Sequence, residues 1–130
     1  MTPFEWLFLA GRILFAALFL GGGIGHFTGL DQTAEHAASR GVPAPRFMTL
    51  LTGGALLLGG LSVLLWIQVE VGTWVLAGFL LVSAFTIHDF WALEDPDRRQ
   101  VEQAMFMKNV ALAGAAVMLY AAVQAPEVVL

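Results

Sequence analysis

Charge is missing from this chain in long blocks, and the blocks have the length of a bilayer. Residues 47–69 carry no Asp, Glu, Lys or Arg, and neither do 71–87 or 109–126. A fourth block, 13–30, extends back to Phe4 if Arg12 is accepted inside it. A hydrocarbon core is crossed by about 20 apolar residues in a helix. In lipid the backbone must satisfy its own hydrogen bonds, so an apolar block of that length is read as a helix. The sequence therefore predicts an all-α membrane protein. Its four transmembrane helices run over about 4–28, 46–68, 71–93 and 100–124, as an antiparallel bundle in a single domain, 1–130.

Composition closes off the other classes. Hydrophobic residues make up 58% of the chain and charged residues 12%, where a soluble domain has about a quarter charged. A small soluble fold leaves too much surface wet to hide that much apolar area. A net charge of −4 and a pI of 5.1 argue against a nucleic-acid partner. With no cysteine, disulfides, CxxC redox pairs and thiolate metal sites are excluded. The first block lacks a basic stretch before it and holds Gly21, Gly22, Gly23 and Gly25, so it reads as a mature helix rather than a signal peptide.

The aromatic residues agree with this threading. Four antiparallel helices bring Trp6, Trp66, Trp74 and Tyr120 to one face, where amphipathic rings belong, and Trp91 marks the other. The face bearing Trp91 also has Arg40, Arg46, Arg98 and Arg99 in its connections. The opposite face has Glu5, Glu70 and Glu127 and no exposed cation. The positive-inside rule puts the basic connections in the cytoplasm and both termini outside. The expected location is a bacterial or archaeal cytoplasmic membrane. Between the first two spans, Asp31 to Arg40 reads as a short amphipathic surface helix, with Asp31 as N-cap and Gly41 just past its end. The glycines, Gly53-Gly54 and Gly59-Gly60 among them, read as close helix contacts.

Arg12, His26, His88, Asp89, Lys108 and Asn109 fall within or at the edge of the spans. Ionisable groups there cost several kcal/mol unless paired or hydrated, so they are expected to face the bundle interior. Together with Trp91 they are the candidate ligand-binding residues. Donors outnumber the single buried anion, Asp89, which suits an acceptor ligand such as a quinone carbonyl, a carboxylate or a lipid headgroup. Asp89 and Lys108 lie on consecutive helices at an estimated depth offset of about 6 Å, so the expectation is an ion pair at rest. A structural reading stands beside each of these: Arg12 can extend toward Glu5, and each histidine can bond a neighbouring helix. No residue is marked as catalytic, and no metal-ligand pattern is present.

The second half carries a more specific pattern. Phe85-Thr-Ile-His88-Asp-Phe90-Trp91, a charged linker, then Gln103-Ala-Met-Phe106-Met-Lys108-Asn109-Val-Ala-Leu-Ala-Gly114 resembles the DoxX family of small four-helix membrane proteins. Gly11-Arg12-Ile-Leu, Gly23-Ile-Gly-His26 and Gly41-Val-Pro43 extend the resemblance over nearly the whole chain. It departs from the family pattern at His26, where many members have lysine. It departs again at Met48-Thr-Leu-Leu-Thr52, where many have a glutamate. The resemblance implies a membrane subunit of a redox-associated assembly, with a quinone or a lipid as the candidate ligand in a donor-rich pocket, no cofactor assigned, and a membrane-complex partner or a second copy alongside. A non-catalytic accessory subunit and a small oligomeric transporter are the alternatives.

Overall fold

A computed structural model describes residues 1–129. Five α-helices carry the chain: α1 (Pro3–Thr28), α2 (Leu30–Ser39), α3 (Pro45–Leu65), α4 (Val69–Thr86) and α5 (Pro96–Gln124). There is a 3-10 turn at Phe90–Ala92 and another at Pro126–Val129. No strand occurs among the described residues. α1, α3, α5 and the segment Val69–Ala92 that begins with α4 are each long and apolar enough to cross a membrane.

The helices form where local chemistry starts and stops them. α1 opens on a capping box: Thr2 Oγ1 accepts from the Glu5 N–H at 3.2 Å and the Glu5 carboxylate accepts from the Thr2 N–H at 2.5 Å, with Pro3 in the first turn. α2 ends as expected at Gly41, whose φ of +80° lets the Gly41 and Val42 N–H groups turn back to the carbonyls of Ala38 and Ala37. Its start differs from the expectation. Gly29, not Asp31, is the N-cap, and Asp31 sits in the first helical turn, where its carboxylate meets Arg46 instead. α3 stops at Leu65 because Trp66 and Gln68 adopt left-handed backbone, at φ +60° and +51°. The Ser62 hydroxyl holds that turn by donating to the carbonyls of Ile67 and Gln68, at 2.6 and 3.0 Å.

α1 packs on α3, α3 on α4 and α4 on α5, while α2 lies against α3 at the end away from the chain termini. That end is called here the α2 end, and the other the terminal end. Side chains of all four long helices meet in one core that includes Phe19, Leu56, Val63, Leu76, Leu80 and Ala113. Close approach of α1 to α3 depends on Gly53: a Cβ there would lie 2.8 Å from the His26 Cβ. Gly21, Gly25, Gly54, Gly78 and Gly114 face open space instead of a neighbouring helix. The ring of helices does not close. α1 and α5 have no Cα–Cα approach within 8 Å among the described residues, so a seam runs between them.

α4 ends earlier than the sequence predicts. The third span was expected to remain helical to 93, but the helix stops at Thr86. The N–H groups of Ile87 and His88 converge on one carbonyl, Ser83 O, at 2.8 and 3.2 Å, so the ladder closes there. Phe90 and Trp91 then fold back to meet Phe106 edge-on, at ring separations of 5.5 and 5.7 Å. α5 starts correspondingly sooner, at Pro96 rather than near 100.

Candidate functional site

Arg12 sits in the third turn of α1, and its side chain reaches toward the terminal end, as helical side chains lean toward their own N-terminus. There Nη2 donates to the Leu64 carbonyl at 2.9 Å. Leu64 is in the last turn of α3, whose free carbonyls carry partial negative charge. The guanidinium lies 5.3 Å from the Trp66 ring centroid and 5.9 Å from that of Phe8, and those two rings meet edge-on at 4.9 Å. The left-handed turn at Trp66 is what aims the indole back at α1. Glu5, engaged in the α1 cap, makes no ion pair with Arg12. Arg12 Nε is buried and has no hydrogen-bond partner. Beside it, α1, α3 and α5 line a cleft of about 300 Å³ with Gly11, Phe15, Val63, Ala115 and Leu119 in its walls. That volume is at the lower end of small-molecule sites.

The α2 end is arranged differently. Arg40, the residue that caps α2, forms an ion pair with Asp89, just past the end of α4; both side chains are largely covered. His88 Nδ1 lies 2.6 Å from Glu102 Oε2 on α5. Arg46 and Asp31 pair at 2.5 Å on the exposed rim. Arg40 and Glu102, which the sequence reading had not placed in any site, thus hold the two residues it had. The expected Asp89–Lys108 pair is not formed. The break after Thr86 takes Asp89 off the helix and toward α2. The depth argument also shifts, because α4 and α5 pivot about Asp95. Lys108 lies thirteen residues beyond Asp95 and Asp89 six before it, an offset of about seven residues or ~10 Å.

His26 and Asn109 occupy the middle ground. The His26 Nδ1–H donates to the Gly22 carbonyl at 2.8 Å, and its ring meets Phe79 edge-on at 6.2 Å. With the proton on Nδ1, Nε2 is an acceptor. Asn109 is 4% exposed, and its Nδ2 donates to the Leu80 carbonyl at 3.4 Å, tying α5 to α4. Lys108 does not face inward as expected: it is exposed on α5, and the contact of its Nζ is Met105 Sδ at 3.6 Å. Trp91, 49% exposed, stands at the α2 end in its aromatic cluster, and Trp74 meets Tyr120 at 5.2 Å toward the terminal end. The candidate residues therefore separate into a paired group (His88, Asp89), a helix tie (Asn109), and Arg12, His26 and Lys108, each with polar capacity to spare.

A DoxX family model matches residues 7–89. Inner membrane protein YqjF of Escherichia coli (strain K12) is 33% identical over 114 residues, covering 85% of this chain and 79% of that protein. No solved structure matches the chain.

Proposed function

The chain belongs to the DoxX family of membrane proteins, and on that footing we propose that it is the membrane subunit of a redox-associated assembly, holding a quinone or a lipid in the seam between α1 and α5. The observation that carries this reading is Arg12. Its Nε–H is buried with no partner, and its side chain lines a largely apolar cleft between α1, α3 and α5. A buried unpaired donor typically costs about 1–3 kcal/mol, and a quinone carbonyl or a headgroup oxygen entering the cleft removes that cost. Trp66 and Phe8 supply flat apolar faces beside the cation for a ring or an acyl chain. His88, Asp89 and Asn109 take the supporting part, keeping the other helices in place.

Titrating the full-length protein in phosphatidylcholine nanodiscs with a short-tailed quinone tests it. Quinones quench indole fluorescence, and the Trp66 ring lies against Arg12 and Phe8, which line the cleft. Saturable quenching that is lost in Arg12→Ala and partly kept in Arg12→Lys is the expected result. Quenching that rises linearly with quinone in all three proteins overturns the quinone form of the reading. Mass spectrometry of co-purified lipids, with and without Arg12, then decides the lipid form. The same reading places the α2 end in the cytoplasm, on the strength of Arg40, Arg46, Arg98 and Arg99 in its connections. The chain has no cysteine, so Ala38→Cys is a clean reporter. An impermeant thiol reagent labelling it only from the outer side overturns that orientation.

A further inference from the structure

We propose that the half of the α1–α5 seam nearer the α2 end is a docking site for a transmembrane helix of a different protein, one that carries a carboxylate level with Lys108. This rests on the reading of the chain as one subunit of a larger membrane assembly, and it names the chemistry of the neighbour.

Lys108 stands on the side of α5 turned toward α1. Seven residues along an α-helix return to within about 20° of the same direction, so Lys108 shares a flank with Ala115. Ala115 lines the cleft against α1, so Lys108 stands on the flank of α5 that faces the seam. Asn109, one residue on, is buried against α4, which fixes the rotation of α5. Lys108 lies six residues, or about 9 Å of helical rise, beyond Glu102, whose pair with His88 sits at the α2 end. Its side chain bends back toward Met105, so the ammonium group rests on a thioether about one turn nearer the α2 end, still on the spanning helix α5. A lysine in that setting costs a few kcal/mol or more unless an anion meets it. No carboxylate of the chain does so among the described residues.

Nor is a second copy suited to supply one. Asp89 and Glu102, the acids nearest this depth, are held by Arg40 and His88 of their own chain. Glu5 and Glu70 begin α1 and α4 at the terminal end. The anion then comes from elsewhere, and the seam is the face of Lys108 that no helix of the chain closes. α1 and α5 stay apart along it, and a Cβ added at Gly25, which lies within about 40° of the cleft-lining Gly11 around α1, would meet nothing within 4 Å.

The test uses the full-length protein in phosphatidylcholine nanodiscs and a labelled synthetic Leu/Ala helix of about 20 residues. The helix bears one Glu in its half nearer the α2 end, and a sister peptide bears Gln there. Binding is read by energy transfer. The Glu peptide is expected to bind about tenfold more tightly than the Gln peptide. That preference should vanish in Lys108→Met and survive in Lys108→Arg. Equal binding of the two peptides overturns the proposal. So does a preference that disappears when about a fifth of the lipid is replaced by phosphatidylglycerol, because lipid phosphate is then the occupant of Lys108. Quinone quenching at Trp66, measured on the same nanodiscs, reports the Arg12 site independently, so the failure of one reading is distinguishable from the failure of the other.

Discussion

At the α2 end Arg40, Arg46 and His88 each meet a carboxylate, whereas at the terminal end Arg12 meets a carbonyl, two aromatic faces and a cleft. Both ends bring charge to the edge of an apolar span. The α2 end neutralises it within the chain, and the pairs lock elements that would otherwise be free: α2 to the break after α4, and that break to α5. An Nε–H is buried without a hydrogen-bond partner at each end, on Arg40 and on Arg12, but only at the terminal end does the cation also lack a carboxylate. Closed pairs of this kind specify structure, while an unpaired cation beside a cavity is what a ligand can use. The contrast sets a cation without an anion beside the α1–α5 seam against ion-paired cations under α2.

Four substitutions break or sharpen that contrast, each measured as a change in unfolding free energy in detergent micelles. Asp89→Ala has the largest expected effect. It strands Arg40, whose side chain is only 15% exposed, and a buried pair broken on one side costs about 3–5 kcal/mol; with part of that screened by residual solvent, about 2–3 kcal/mol is expected. Arg40→Met combined with Asp89→Leu should recover more than half of the loss. A double variant no better than the single one would mean that the pair is not the fastener of α2.

Arg12→Ala comes next, at about 1–2 kcal/mol, from the lost cation at the C-terminus of α3 and its two aromatic contacts. Emission from Trp66 should shift at the same time, and an unchanged spectrum would rule out the contact between the guanidinium and the indole. His88→Ala is expected to cost about 1 kcal/mol, since it leaves Glu102, 22% exposed, without its partner. The smallest effect belongs to Arg46→Ala. Its pair with Asp31 is 65% and 82% exposed, and exposed pairs contribute between zero and 1 kcal/mol. A loss there as large as that for Asp89→Ala would show that exposure does not separate the three pairs, and the comparison would fail.

The pairing of α4 with α5 shows how far the sequence could have been pushed. The two run antiparallel about Asp95, so level residues sit at equal distances on either side of it. His88 meets Glu102, Phe85 meets Phe106 at 5.2 Å, and Leu80 meets Asn109. A turn centred on Asp95-Pro96 predicts all three, and it puts Lys108 level with Val82 rather than Asp89. Pro96, favoured in the first turn of a helix, was the available signal. Arg40 had no comparable signal. Nothing local says that the last residue of a short surface helix will reach beneath the bundle to Asp89.

The chain's sequence determined by itself that there are four spanning helices and roughly where they begin, because lipid demands apolar helices of bilayer length and tolerates little else. It determined too that Arg12, His26, His88, Asp89 and Lys108 lie in or at the margins of those spans, and that Trp66, Trp74 and Tyr120 share an end. Only the tertiary structure decided which of those charges are satisfied. Partner choice depends on the rotation of each helix about its axis, on the break after Thr86 and on the path of α2 across α3. Each is set by packing among residues far apart in the chain. A change of one residue in a helix start turns a side chain by about 100°, enough to exchange a paired lysine for one that faces an open seam.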